Sequence, residues 1–391
     1  MGEFIGIGRK ARRAYGFDEI ALVPGSVTLN PKEVDTTLEI GTERYQVPIL
    51  ASAMDGVVDV SFAVRMGQFG GVAVLNLEGI QTRYEDPDEV LDRISEASPS
   101  QATEWVQSIY REPIKEHLIS KRIEQIRAGG AAAAVSAIPS RAERFGAIAQ
   151  EAGASIFVVQ STVSTVRHLS KEYKALDIQS FCKQMSLPVL IGNCVTFDVT
   201  LELMEAGASG ILIGIGPGAA CTTRGVLGIG VPQVTATVDC AAARDAHHQK
   251  TGRYVPIIAD GGMSTGGDIC KAFACGSDGV MVGSAFARSS EAPGRGFHWG
   301  MATSHENLPR GTRIHVGTTG TLEEILFGPA KTDDGSQNLM GALTTCMGNL
   351  GARTIQEMHA AEIIIAPSIR TEGKIFQTVQ RVGMGKVSSK A

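Results

Sequence analysis

Short apolar runs alternate along this chain with longer stretches that carry charge at helical spacing, and this alternation predicts parallel strands joined by crossover helices. The runs at 48–53, 71–75, 131–135, 155–159, 188–191, 210–213, 256–259 and 279–282 read as eight buried strands. Each ends in a polar or glycine-containing loop, where Asp55, Asn76, Gln160, Asn193, Cys221, Asp260 and Ser284 stand. Eight such units predict an α/β fold, a (β/α)8 TIM barrel, whose functional groups belong at the C-terminal strand ends. A doubly wound sheet is the competing arrangement, but the glycine fingerprint that opens one after its first strand is missing.

Two excursions interrupt the repeat. Between strands two and three, residues 84–127 carry Val90, Leu91 and Ile94, then Trp105 and Ile109, then Leu118, Ile119, Ile123 and Ile126 at helical spacing. They predict a helical insert over the barrel's flank. After strand eight, residues 295–349 are rich in glycine, with Gly300, Gly311, Gly317, Gly320, Gly328 and Gly335, as suits a flap or finger region. The basic tail from Lys386 is expected to be solvated.

Composition narrows the class. At 391 residues, 43% hydrophobic and 20% charged, the chain can bury a large core, and one elaborated catalytic barrel over 1–391 accommodates it. A net charge of -5 gives no footprint for nucleic acid or a membrane surface. No apolar run approaches the roughly 20 residues of a spanning helix. The seven cysteines lack CxxC spacing, which argues against a zinc site or a disulfide framework. The N-terminus lacks the basic-then-apolar pattern of a secretion signal, so a cytoplasmic location is expected.

The richest stretch for chemistry is Gly214-Ile215-Gly216-Pro217-Gly218-Ala219-Ala220-Cys221-Thr222-Thr223-Arg224. Glycines at alternate positions permit turns of positive φ, and Thr and Arg beside the cysteine favour a thiolate. Cys221 is therefore a candidate nucleophile, with a buried structural thiol as the alternative. Read in order with Ser52-Ala53-Met54-Asp55, Ala259-Asp260-Gly261-Gly262-Met263, Val282-Gly283-Ser284 and Glu291-Ala292-Pro293-Gly294, this loop resembles the IMP dehydrogenase/GMP reductase family. The likeness is strongest to its short branch without the regulatory CBS module, for which the 84–127 insert has no room.

The resemblance implies a purine nucleotide substrate, GMP or IMP, and a covalent adduct between Cys221 and C2 of the base. It implies that Asp260 accepts the ribose hydroxyls, a helix N-cap being its ordinary alternative, and that Gly262, Gly283 and Ser284 take the phosphate. Ser52, Met54 and Asn193 would flank the base, with Gly218 also on the substrate side, and Gln160 and Ser161 would meet the nicotinamide cofactor. Carbonyls of Gly216, Gly218 and Cys221 could ring a K+ ion, and the chain would assemble as a homotetramer or octamer. Dehydrogenases of the family activate water with an Arg-Tyr pair on the flap. Here the tyrosines are Tyr15, Tyr45, Tyr84, Tyr110, Tyr173 and Tyr254, all before strand eight. Thr223 and Glu291 match the pair with which the reductases protonate departing ammonia. The resemblance so read implies an NADPH-dependent GMP reductase; IMP oxidation with NAD, or nucleotide sensing without catalysis, are the alternatives. Two departures stand out: Gln160 where the family usually has Asp, and Ala219 where it usually has Ser.

Overall fold

Alternate residues of each core strand face opposite ways, and that period of two builds the molecule. The computed structural model describes residues 2–171, 174–300 and 313–386. Tyr173, Gly311 and the tail beyond Lys386 lie outside them. Eight parallel strands follow one another around a barrel: β1 (Ile49–Ala51), β2 (Val74–Asn76), β3 (Ala134–Ala137), β4 (Ile156–Gln160), β5 (Val189–Cys194), β6 (Gly210–Ile213), β7 (Ile257–Asp260) and β8 (Gly279–Val282). Neighbours in sequence are neighbours in the sheet, β8 pairs with β1, and a bridge from Ala51 to Ala73 closes the circle. No reversal of strand order exists, so the doubly wound alternative falls away.

Leu50, Val74, Ala134, Ile156, Val158, Leu190, Leu212, Ile258 and Met281 point inward and pack on one another. Their chain neighbours Ile49, Leu75, Val135, Phe157, Ile191, Ile211, Ile257 and Val280 point outward into the helices. Every one of these side chains is buried, each contributing roughly 2 kcal/mol of transfer free energy. A hairpin of strands Leu38–Ile40 and Glu43–Tyr45 adds Leu38, Ile40 and Tyr45 to the inner cluster.

The helices between strands are amphipathic. Helix α1 (Val60–Gln68) follows β1, capped by Asp59, whose carboxylate accepts the Phe62 N–H at 2.7 Å. The stretch read as one insert divides in two. Helices α2 (Asp88–Glu96) and α3 (Ala102–Ile109) form a satellite, whereas α4 (Glu116–Ala128) buries Ile119, Ile123 and Ile126 in the main core and is the crossover helix of the second βα unit. Helical spacing cannot tell these apart, because both bury one stripe. In α3 it is Val106 that is buried; Trp105 is 44% exposed.

The satellite receives part of the second excursion. Strands β9 (Phe297–Trp299) and β10 (Arg313–His315) pair antiparallel, and Trp299 enters the α2–α3 core beside Ile80, Leu91, Ile94, Val106 and Ile109. Arg313 donates to the Ile94, Ser95 and Ala97 carbonyls at the C-terminal end of α2, and Arg295 pairs with Asp92. These contacts satisfy carbonyls that the helix end leaves open.

Candidate active site

The loop after β6 is shaped by glycine. Gly214 has φ of 142°, and a Cβ there would lie 2.6 Å from the Asp260 carbonyl oxygen, so no other residue fits. Gly216 has φ of 71° and would strike Arg224. Exposed Arg224 ties the loop: its Nε donates to the Ile215 carbonyl at 3.2 Å and its Nη2 to the Val231 carbonyl at 2.8 Å. Cys221 ends the loop exposed, its Sγ donating to Thr223 Oγ1 at 3.2 Å, and Thr223 is the first residue of α5 (Thr223–Leu227). Exposure rules out the inert core reading. Cys182 and Cys275 differ, since burial pushes their thiols up to about 11 and about 12.

The loop after β7 abuts the cysteine loop. Gly261 and Gly262 have φ of 79° and 80°, and a Cβ on Gly262 would lie 2.9 Å from Pro217 Cβ. Asp260 stands just before them, partly exposed at the barrel mouth. Its Oδ2 accepts Asn193 Nδ2 at 2.8 Å and Gln160 Nε2 at 3.0 Å. The same Gln160 nitrogen donates to Asn193 Oδ1 at 3.1 Å. Burial raises the Asp260 carboxyl to about 6 against the pull of the two amides. The N-cap alternative fails: α6 (Gly266–Ala274) is capped by Thr265, which forms a capping box with Asp268.

Residues after β1 and β8 meet on the other side of the mouth. The Ser52 N–H donates to the Val282 carbonyl at 3.0 Å, and a Cβ on Gly283 would stand 2.9 Å from Met54 Sδ. Ser284 Oγ lies 3.0 Å from Nε2 of His298, a buried residue of β9. The Ser161 hydroxyl donates to the Val163 carbonyl at 2.9 Å within its own loop.

Glu291 sits at the root of the second excursion. One carboxylate oxygen takes the Ser289 hydroxyl at 2.6 Å, the Ser290 hydroxyl at 2.8 Å and the Leu322 N–H at 3.0 Å. Burial pushes its carboxyl up, but these donors together outweigh it and leave it below the ordinary carboxylate value. Among the described residues Glu291 forms no ion pair with the nearby Arg288 or Arg295; Arg295 holds Asp92.

The structure adds residues that sequence reasoning missed. Tyr110, just after α3, donates its hydroxyl to Asp55 and accepts Trp299 Nε1 at 2.9 Å. Buried Gln233 donates to the Ile213 carbonyl at 2.7 Å and so braces the end of β6. His298 came without signal, since no local pattern links it to Ser284.

A parallel eight-stranded barrel carries an exposed thiol on a glycine loop and a carboxylate on the adjoining loop at the same mouth, where barrel enzymes place their functional groups. The IMP dehydrogenase / GMP reductase domain matches residues 14–374, and the chain belongs to that family, whose members are oxidoreductases. It is 34% identical to an uncharacterized oxidoreductase of Mycolicibacterium smegmatis over 92% of this chain and 99% of the relative. It is 30% identical to the inosine-5'-monophosphate dehydrogenase of Cryptosporidium parvum, covering 88% and 89%. The crystal structure of an IMP dehydrogenase/GMP reductase-like protein from Corynebacterium glutamicum superposes with a TM-score of 0.86 at 33% identity, covering 92% of this chain and 96% of that one.

Proposed function

We propose that the chain oxidises IMP to XMP through a covalent adduct on Cys221. Both reactions considered from sequence share the adduct and a hydride passing between C2 and a nicotinamide ring; they differ in whether water enters or ammonia leaves. The observation that carries the choice is the state of Glu291. A reductase needs that carboxyl to give a proton to the departing amine, whereas three donors converge on one of its oxygens and favour its role as an acceptor. An anion accepts protons, as water attack requires.

In this reading Cys221, as thiolate, attacks C2, with Thr223 Oγ1 taking the thiol's hydrogen bond beforehand. A nicotinamide cofactor, when bound, takes up the hydride that leaves C2. Water then adds at C2, the thiolate departs and XMP is released, so the two electrons removed from IMP reside on the reduced cofactor. Asp260 receives the ribose hydroxyls, and Gly262, Gly283 and Ser284 receive the phosphate. Ser52, Met54 and Asn193 bound the base pocket. The carbonyls of Gly216, Gly218 and Cys221 would hold a K+ ion that braces the loop; the Gly218 carbonyl accepts the Cys221 N–H at 3.0 Å and keeps a second lone pair, and no step runs through the ion.

GMP reduction with NADPH is the second reading, supported by the contact between Cys221 and Thr223. Purified protein with IMP plus NAD, and separately with GMP plus NADPH, followed at the nicotinamide absorbance band, separates them. Reduction of NAD only with IMP is expected, and oxidation of NADPH only with GMP would reverse the assignment. Family resemblance also carries the homotetramer or octamer. Exposed Ile375, Phe376 and Val379 suit a face covered in such an assembly, which light scattering reads.

A further inference from the structure

Gln160 was expected to meet the cofactor, but its amide is occupied elsewhere. Both hydrogens of Nε2 are spent, one on Asp260 Oδ2 at 3.0 Å and one on Asn193 Oδ1 at 3.1 Å, while Asn193 Nδ2 donates to the same Asp260 oxygen at 2.8 Å. Three side chains from the ends of β4, β5 and β7 thus close a ring in which every hydrogen bond has a donor and an acceptor, with one negative charge in total. Two donors on Oδ2 leave Oδ1 for a ligand's hydroxyls.

We propose that Gln160 is a positioning residue for Asp260: its neutral amide keeps that carboxylate ionised and fixes which oxygen faces the ribose. The proposal rests on the nucleotide reading of the site, though on neither direction of the reaction. Among the described residues no charged group assists it. What acts on the Asp260 carboxyl is burial and the Asn193 and Gln160 amides, with Met281 beside it on β8 and the Gln233 amide 3.5 Å from its main-chain oxygen. An acid in place of Gln160 would set a second carboxylate against Oδ2, and two carboxylates at hydrogen-bond distance do not both ionise readily.

Calorimetry with IMP, GMP and 2′,3′-dideoxyinosine monophosphate, from pH 6 to 9, tests this on Gln160→Ala and Gln160→Glu, with circular dichroism verifying the fold. Failure of the wild type to bind IMP or GMP would sink the nucleotide reading itself. Given binding, Gln160→Ala should weaken IMP by about tenfold at pH 7 to 9, the scale of one charge-assisted hydrogen bond, and by more near pH 6 where Asp260 then takes a proton sooner, while leaving the dideoxynucleotide unchanged. Gln160→Glu should bind almost as the wild type near pH 6, where its carboxyl can still donate, and lose about tenfold or more by pH 9. Equal losses for IMP and the dideoxynucleotide, or a Gln160→Glu loss that does not vary with pH, would overturn the proposal.

Discussion

In the proposed reading Cys221 works by being reached, whereas Asp260 works by being held. Replacing Cys221 with Ala should abolish turnover and leave nucleotide affinity within a few-fold, because ribose and phosphate contacts come from other loops. Retained turnover would end the covalent mechanism. Asp260 carries a conflict between stability and function. Its folded carboxyl lies at about 6, above the ordinary 3.8, so ionising it opposes folding by at most about 3 kcal/mol, a cost fully present above pH 6 and gone below about pH 4. Asp260→Asn should therefore raise the unfolding temperature at pH 7.5 while weakening nucleotide binding by about 2 kcal/mol. A lower unfolding temperature, or unchanged affinity, would contradict this account. In the wild type, affinity should fall as pH drops through 6 and the carboxylate takes a proton.

At the scale of elements, the satellite helices and the β9–β10 hairpin form one unit. Tyr110 joins Asp55 at the end of β1 to Trp299 of the hairpin, and burial raises Asp55 to about 6 even though the Tyr110 hydroxyl lowers it. Tyr110→Phe strips a partner from two buried polar groups, and urea denaturation should show a loss of about 2 to 3 kcal/mol. A change below about 0.5 kcal/mol would mean the linkage is idle. This unit was only half legible in the sequence. The stripes of Leu91, Ile94 and Ile109 announced helices, as the eight apolar runs announced strands, because each is a local periodicity. That α4 belongs to the barrel and α2–α3 do not is set by which distant surface each stripe meets. The cysteine loop and Asp260 were legible because glycines and strand ends mark them locally. Tyr110 and His298 were not, since each meets its partner across a long sequence separation, and the same holds for the ring that diverts Gln160.

Over the whole molecule, the barrel is not uniformly joined. Strands β8 and β1 align over three residue pairs and β3 and β4 over four, but β1 and β2 share a single bridge between Ala51 and Ala73, where the Ala51 N–H donates to the Val72 carbonyl at 2.9 Å, with the Val47 N–H on the Gly70 carbonyl at 3.1 Å just before the strands. The hoop therefore has a seam, and Ser52 and Met54 hang directly from its edge. Hydrogen exchange should find the Ala51 amide opening sooner than those of Ile211 and Phe157, which donate to the Pro256 and Pro188 carbonyls within longer ladders. Equal protection at all three would mean the seam is as tight as the rest. If it opens first, the edge that carries Ser52 and Met54 is also the part of the hoop that breathes most readily, and a nucleotide held against those two residues, as proposed, would act as its clasp, slowing exchange at Ala51 more than at either of the other two.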